Sequence, residues 1–114
     1  MAKEDYKGIW IFAEQQNGVL NSVTLELLAK AQELKAHSGE DIYAILLGSD
    51  VKALVPTLIA HGADKVIVAE DAALASYSAR PYQRTMTQLA EKYKPSIILY
   101  GATSLGRDFA PRVM

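Results

Sequence analysis

The stretch GIWIFAEQQNGVLNS, residues 8–22, decides the class of fold that this chain can adopt. Residues 9–13 form a short, continuous run of bulky apolar side chains, which is typical of a strand buried on both faces. The polar residues 14–18 follow at once and predict a loop. Asn21 or Ser22 can then cap a helix. The stretch therefore predicts a strand, a loop and a helix in succession.

The predicted helix continues as far as Gly39, a residue that favours the left-handed backbone conformation in which many helices end. Helical spacing assigns it one apolar face. That face comprises Val23, Leu27, Ala31 and Leu34.

The same unit then repeats along the chain. Apolar runs at 42–47, 65–69 and 96–100 predict three further strands. Between them we expect a short helix over Val51 to Ala60, capped by Ser49 or Asp50, and a longer one between Pro81 and Pro95. Pro56 favours a later start of the short helix, near Val55, which places the proline in the first turn, where its missing N–H costs nothing.

Strands that alternate with helices predict an α/β fold of the doubly wound type. Its parallel sheet carries helices on both faces, and right-handed crossovers connect its strands. A chain of 114 residues provides one small domain. We expect a new helix that starts near Leu105 and is unfinished at Met114, and we therefore predict the front part of a longer protein, truncated before the end of its domain.

Composition excludes several classes of function. The formal net charge is -1 and no basic run exceeds two residues, so the electrostatic footprint of a nucleic-acid-binding protein is missing. Because the sequence has no cysteine, it offers no disulfide, thiolate nucleophile or cysteine-based metal site, and it is consistent with a cytoplasmic protein. No secretory signal and no apolar stretch of membrane-spanning length is visible, which argues against membrane insertion.

The common catalytic and nucleotide-binding motifs are missing from the sequence. The loop after the first strand, AEQQNG, lacks the G-x-G-x-x-G of dinucleotide-binding domains, and neither G-x-x-x-x-G-K-[ST] nor G-x-S-x-G occurs. His37 and His61 fall at the ends of predicted helices, where a histidine interacts favourably with the last carbonyls. We predict no catalytic residue and no metal ligand.

The stretch GATSLGRDFAPR, residues 101–112, is the strongest candidate for a site. It follows the fourth strand, and open α/β sheets bind ligands at the carboxyl ends of their strands. In one interpretation Thr103, Ser104 and Arg107 bind a phosphate at a helix start. In the other, which we favour, Ser104 caps the helix, Asp108 supports the cap and Arg107 reaches across an interface.

Three segments together resemble the α subunit of the electron transfer flavoproteins. They are YKGIWIFAEQQNGVLNSVTLELLAKAQEL at 6–34, HGADKVIVAEDAAL at 61–74 and KPSIILYGATSLGRDFAPRV at 94–113, of which the last is the most specific. The resemblance covers essentially the whole chain. The version at residues 6–15 is most similar to α subunits from anaerobes, some of which belong to electron-bifurcating complexes with an acyl-CoA dehydrogenase.

The resemblance implies a fold, a cofactor and a partner. Residues 1–114 would be an incomplete N-terminal α/β domain, a Rossmann-like three-layer sandwich related to the adenine-nucleotide α-hydrolases. The absent C-terminal domain would bind FAD, and the β subunit would hold AMP or a second FAD in a pocket that the α copy has lost. This domain would be mainly structural and would pair with the β subunit. The candidate interface or structural residues are Gly101, Gly106, Arg107, Asp108 and Arg112.

The complete heterodimer would be a bacterial cytoplasmic protein that transfers electrons between dehydrogenases, such as an acyl-CoA dehydrogenase, and an acceptor. The principal alternative is a free-standing AMP- or ATP-binding domain of the universal-stress type, in which Ser104 and Arg107 contact phosphate. A third possibility is an adenylating enzyme of the same superfold, which would need a Ser-Gly-Gly pyrophosphate loop where this sequence has AEQQNG.

Overall fold

A computed structural model describes residues 7–16, 18–74 and 79–101. Its strands are β1 (Ile9–Phe12), β2 (Gln15–Gln16), β3 (Val19–Leu20), β4 (Ile42–Gly48), β5 (Lys65–Glu70) and β6 (Ile97–Leu99). Its α-helices are α1 (Ser22–Ser38), α2 (Val55–Ala60) and α3 (Ala79–Tyr93), with short 3-10 turns at Lys52–Leu54 and Ala72–Leu74.

Four of the strands form one parallel sheet in the order β5-β4-β1-β6. The chain moves outward from β1 to β4 and β5, then crosses back to place β6 on the other side of β1. This order confirms the predicted parallel α/β fold. The order in which strands are added to the sheet reverses between β1 and β6, and open sheets of this kind have a crevice at that point.

Alternate residues of β1 explain why the sheet is covered on both faces. Ile9 and Ile11 point to an aliphatic core with α1 and α2, whereas Trp10 and Phe12 point to an aromatic core with α3. All four side chains are at most 1% exposed. The predicted strand buried on both faces, and the helices on either side of it, are therefore confirmed.

The predicted ends of α1 are also confirmed. The side chain of Asn21 accepts a hydrogen bond from the Val23 N–H, and Gly39 adopts the left-handed conformation with φ 73° while its N–H donates to the Lys35 carbonyl. The predicted apolar face is confirmed at Ala31, which is fully buried, and is shifted by one position earlier in the helix, where Thr24 and Leu28 are fully buried. The predicted residues Val23, Leu27 and Leu34 are only partly buried.

The α2 region confirms one prediction and contradicts another. The helix begins at Val55 with Pro56 in its first turn, as predicted. Neither this helix nor the preceding 3-10 turn has a side-chain cap, so the expected capping by Ser49 or Asp50 is wrong. Instead the Glu70 carboxylate, at the end of β5, accepts a hydrogen bond of 2.9 Å from the Val51 N–H.

The expectation of a simple loop over residues 14–18 also needs correction. Strands β2 and β3 form a short antiparallel ribbon in which Gln15 pairs with Leu20 and Gln16 with Val19. Gly18 makes the reversal possible, because its φ of 79° is a conformation that residues with a Cβ rarely adopt.

Candidate site at the carboxyl edge of the sheet

The carboxyl ends of β1 and β6 lie side by side where the strand order reverses. Ala13 and Glu14 follow β1, Tyr100 and Gly101 follow β6, and the first turn of α1 faces both. In open α/β sheets this crevice is the usual ligand site. The sequence placed its candidate at the same edge.

The amino end of α1 is occupied by the chain's own groups. The Val23 N–H donates to the Asn21 side chain at 3.0 Å, and the Thr24 N–H donates to the Asn21 carbonyl at 2.9 Å. Where such a helix binds phosphate, its first N–H groups point at the ligand. Two of those donors are already used within this domain.

Thr24 and Glu14 close the space between β1 and α1. The Thr24 hydroxyl donates to the Glu14 carbonyl at 2.9 Å, and the Asn21 N–H donates to the same oxygen at the same distance. Both residues are buried, with Thr24 0% and Glu14 4% exposed. The polar pattern of residues 14–18 predicts a loop and carries no signal that Glu14 is buried.

Gly101 packs directly against the first turn of α1. A Cβ added at Gly101 would lie 2.8 Å from Cγ2 and 3.0 Å from Cγ1 of Val23. Gly101 is the one sequence-predicted site residue within the described ranges, and it is buried. The other candidates lie outside the described residues: Thr103, Ser104, Gly106, Arg107, Asp108 and Arg112.

The β2–β3 ribbon is fixed over the end of the neighbouring strand β4. Gln15 donates through Nε2 to the Leu47 carbonyl at 3.2 Å and accepts through Oε1 from the Gly18 N–H at 3.1 Å. The ribbon approaches so closely that a Cβ at Gly48 would lie 2.7 Å from Gln15 Nε2. Val19, on its outer strand, is 69% exposed.

Aromatic side chains fill the opposite face below this edge. The ring of Phe12 lies 6.1 Å from Tyr100 and 6.3 Å from Tyr82, between ring centroids, and the Tyr82 hydroxyl donates to the Leu74 carbonyl at 2.8 Å. Burial raises the pKa of Tyr100 to about 12 and also raises the pKa of Tyr82. Both phenols therefore stay protonated at neutral pH and serve as packing groups.

The two histidines occupy the helix ends that the sequence predicted. His37 lies in the last turn of α1, and His61 follows α2 with its Nδ1 2.9 Å from the Thr57 carbonyl oxygen. Within residues 7–16, 18–74 and 79–101, no cluster of three or more His, Cys, Asp or Glu side chains could hold a metal ion. None of the helices in these ranges is long and apolar enough to cross a membrane.

At the opposite, amino end of the sheet, Glu40 joins two strands. Its Oε1 accepts from the Gly8 N–H at 2.6 Å and from the Ser96 hydroxyl at 2.8 Å, and so connects the approaches to β1 and β6. An open concavity of about 620 Å³ lies beside it, lined partly by Lys7, Ser38 and Tyr43. No local pattern could have revealed Glu40, because its partners are 32 and 56 residues away.

Comparison with known proteins shows which family this chain is similar to. The family model described as the electron transfer flavoprotein domain matches residues 9–113. The electron transfer flavoprotein subunit alpha of Thermoanaerobacterium thermosaccharolyticum is 47% identical over 109 residues, which cover 96% of this chain and 33% of that protein.

Two further relatives extend the comparison. The corresponding subunit of Clostridium acetobutylicum is 43% identical over 99% of this chain and 34% of its own length. The lactate dehydrogenase (NAD(+),ferredoxin) subunit LctC of Acetobacterium woodii is 40% identical over 97% of this chain and 27% of its own length. The chain thus spans about a third of the length of the curated relatives it matches.

Proposed function

Because this chain belongs to the electron transfer flavoprotein family and matches its α subunits over nearly its whole length, we propose that residues 1–114 are part of the N-terminal domain of such an α subunit. The complete protein pairs with a β subunit in the cytoplasm of a bacterium. The heterodimer transfers electrons through flavin between a dehydrogenase and an acceptor. The dehydrogenase is of the acyl-CoA type, in keeping with the resemblance of residues 6–15 to α subunits of anaerobes.

In this proposal the domain is a structural and pairing module that performs no bond chemistry. The carboxyl edge of its sheet supports that role, because hydrogen bonds among Glu14, Asn21 and Thr24 and the contact between Val23 and Gly101 close the crevice from within. The described residues do not fit the pyrophosphate of FAD. In this proposal, in keeping with the family resemblance, the C-terminal domain holds the flavin and the β subunit holds AMP or a second FAD.

The geometry at α1 disfavours a phosphate site at that helix, because its first N–H donors are turned to Asn21. The universal-stress alternative places phosphate at Ser104 and Arg107, which lie outside the described residues, and it stays a prediction. A role for Thr103, Ser104 and Arg107 in contacting a cofactor stays a prediction. So does the assembly role of Gly106, Asp108 and Arg112.

The decisive experiment is to co-produce the complete protein with its β subunit and to measure flavin absorbance and subunit stoichiometry. We expect a yellow complex with one copy of each subunit. A colourless protein, or one that does not retain the β subunit, would overturn the proposal. Calorimetric titration of the complete α chain with AMP and ATP tests the alternative, because micromolar binding by the α chain would contradict a closed crevice.

Arg107 provides a test of the pairing role. We expect Arg107→Ala to weaken assembly with the β subunit by about 3–5 kcal/mol if it breaks a buried charge pair. Arg84→Ala is a matched control, because Arg84 is exposed on α3. If the Arg107 variant keeps the same assembly and flavin content as the parent, Arg107 does not contribute to the interface.

A further inference from the structure

Glu14 is a buried acidic residue at the carboxyl end of the inner strand β1. Only 4% of its surface is exposed, and its carbonyl accepts hydrogen bonds of 2.9 Å from the Asn21 N–H and the Thr24 hydroxyl. Chain added in the complete protein can only bury this residue further. An ionised carboxyl group in such a place is costly unless a cation or several hydrogen-bond donors compensate its charge. The side chain of Glu14 therefore requires a partner.

The lysines and arginines of the described ranges lie near other groups. Five of the lysines make an ion pair or lie over an aromatic ring elsewhere in the domain. They are Lys30, Lys35, Lys52, Lys65 and Lys92. Lys7 and Lys94 lie at the opposite, amino end of the sheet, where the Lys7 N–H donates to the Lys94 carbonyl at 2.9 Å. Arg80 and Arg84, on α3, are exposed. The cation that compensates Glu14 is therefore best sought in the stretch that follows β6.

The strand register places the start of that stretch beside Glu14. Strands β1 and β6 are parallel neighbours in which Ile11 is level with Leu99. Two residues farther along each strand, Ala13 is level with Gly101. The chain beyond Gly101 therefore leaves the sheet at the level of Glu14, on the adjacent strand.

Two arginines follow Gly101 in the sequence, at positions 107 and 112. The helix predicted to start near Leu105 places Arg107 in its first turn, where a negative charge such as that of Glu14 is also favourable. A helix that follows a strand in an α/β fold runs back toward the amino end of the sheet. Arg112, five residues later, is thus expected about 7.5 Å farther from the carboxyl edge. Arg107 is the better placed of the two.

We propose that Glu14 is a positioning residue, whose carboxylate holds the guanidinium of Arg107 at the interface with the β subunit. This inference rests on the pairing role proposed for Arg107. A guanidinium has five N–H donors in a planar fork, so one edge can bind the carboxylate while the remaining donors face the β subunit. The pair compensates the buried acid and fixes the direction of the arginine. Loss of Glu14 therefore weakens assembly through Arg107.

A double-mutant cycle on assembly of the complete α and β subunits tests the proposal. We expect Glu14→Gln and Arg107→Gln each to raise the dissociation constant of the heterodimer at least about tenfold, because each leaves a charged or polar partner without its counterpart. The double variant should bind no more weakly than the weaker single variant. Arg84→Gln and Glu33→Gln, at exposed positions, are the matched controls. Additive effects, or an unchanged constant for Glu14→Gln, would overturn the proposal.

A conservative change at Arg107 separates positioning from a purely structural role of Glu14. Arg107→Lys keeps the positive charge, and we expect it to bind the β subunit more tightly than Arg107→Gln. That advantage should disappear when Glu14→Gln is also present, because the retained charge then has no carboxylate to meet. An advantage of the same size in both backgrounds would contradict the positioning role.

A crystal structure of the parental heterodimer decides the question if Glu14→Gln does not fold. We expect a nitrogen of the Arg107 guanidinium within about 4 Å of the Glu14 carboxylate. A different cation in that place, from Arg112 or from the β subunit, would refute the pair. A parental protein that lacks flavin or the β subunit speaks against the proposed function, whereas additive losses in a yellow heterodimer speak only against the role of Glu14.

Discussion

The two ends of the sheet are closed by different chemistry. At the amino end, two carboxylates accept backbone N–H groups: Glu40 from Gly8, at the approach to β1, and Asp64 from Ile42, at the start of β4. At the carboxyl end, neutral hydrogen bonds from Thr24 and Gln15 and an apolar contact with Gly101 close the space around β1, and the Glu70 carboxylate accepts a backbone N–H only farther along this edge, beyond β4. In these contacts the amino end therefore depends on charge, and the carboxyl end around β1 depends on fit.

This difference bears on function because the carboxyl end is where sheets of this type bind ligands. Charged groups that close the amino end cannot obstruct a ligand at the opposite edge. Among the described residues, closure around β1 by neutral groups and by close packing leaves little space for phosphate. We propose from this comparison that the domain is a scaffold, and four substitutions test it.

The largest effect is expected at Glu40. Glu40→Ala removes the acceptor of the Gly8 N–H and the Ser96 hydroxyl, and we expect a loss of about 3 kcal/mol in the free energy of unfolding, since hydrogen bonds to charged groups contribute roughly 1.5–3 kcal/mol each. Denaturant unfolding of the complete protein measures it. Glu33→Ala is the control, because Glu33 is an exposed residue of α1. If both variants lose equally little stability, Glu40 does not stabilise the amino end of the sheet.

The next effect is expected at Gly101. A methyl group there would lie within 3.0 Å of both Cγ atoms of Val23, so we expect Gly101→Ala to cost about 2 kcal/mol through overpacking. Combining it with Val23→Ala removes those atoms and should recover most of the loss, which a double-mutant cycle detects. Additive losses would show that the two residues do not share a tight contact.

A smaller effect is expected at Thr24. Thr24→Val keeps the shape of the side chain but deletes the donor to the Glu14 carbonyl, which still accepts from the Asn21 N–H. We expect a loss of about 1 kcal/mol, the contribution of one neutral hydrogen bond. Thr24→Ser, which retains the hydroxyl, separates the loss of the bond from loss of the methyl. A valine variant as stable as the parent would contradict the assignment.

The smallest effect is a dependence on pH confined to the amino end. A hydrogen bond from the Lys35 ammonium, and a second from the Ile42 N–H, hold the pKa of Asp64 below its ordinary value of 3.8. Because the folded-state pKa is depressed, this stabilisation is present above pH 3.8 and is lost as the pH falls through the lower, folded-state value.

Asp64→Asn should therefore show a shallower loss of stability in acid than the parent. Unfolding curves recorded from neutral pH down to below pH 3.8 measure how the free energy of unfolding changes with pH. The same pH dependence in the parent and in the variant would contradict a contribution from Asp64. Thr24→Val serves as the control from the carboxyl end, since it should lower stability by the same amount at every pH.

The four strands of the parallel sheet and the helix α1 could be predicted from short stretches of sequence. The apolar run at 9–13 predicted β1 to within one residue, and Asn21 and Gly39 predicted both ends of α1. Each of these features depends on neighbours within a few positions. A run of apolar residues, a helix cap and a glycine in the left-handed conformation are all set by the local sequence. The resemblance to the family was visible in longer continuous segments, residues 6–34, 61–74 and 94–113.

The ribbon of β2 and β3 and the hydrogen bond from the Val51 N–H to Glu70 were not predictable in this way. Gln15 anchors the ribbon through a carbonyl 32 residues away, and Glu70 takes the place that Ser49 or Asp50 was expected to fill, from 19 residues away. In both cases a polar residue that is ordinary in sequence acquires its role from a strand brought beside it.

By itself the sequence determined the α/β class, the burial of β1 on both faces, the ends of α1 and the family to which the chain belongs. Only the tertiary structure decided that Glu14 is buried, that Glu40 joins β1 to β6, and that Gly101 abuts Val23. The physical reason is distance along the chain. Local conformational preferences are set within a few residues, whereas contacts across the sheet exist only after parallel strands separated by whole helices have paired.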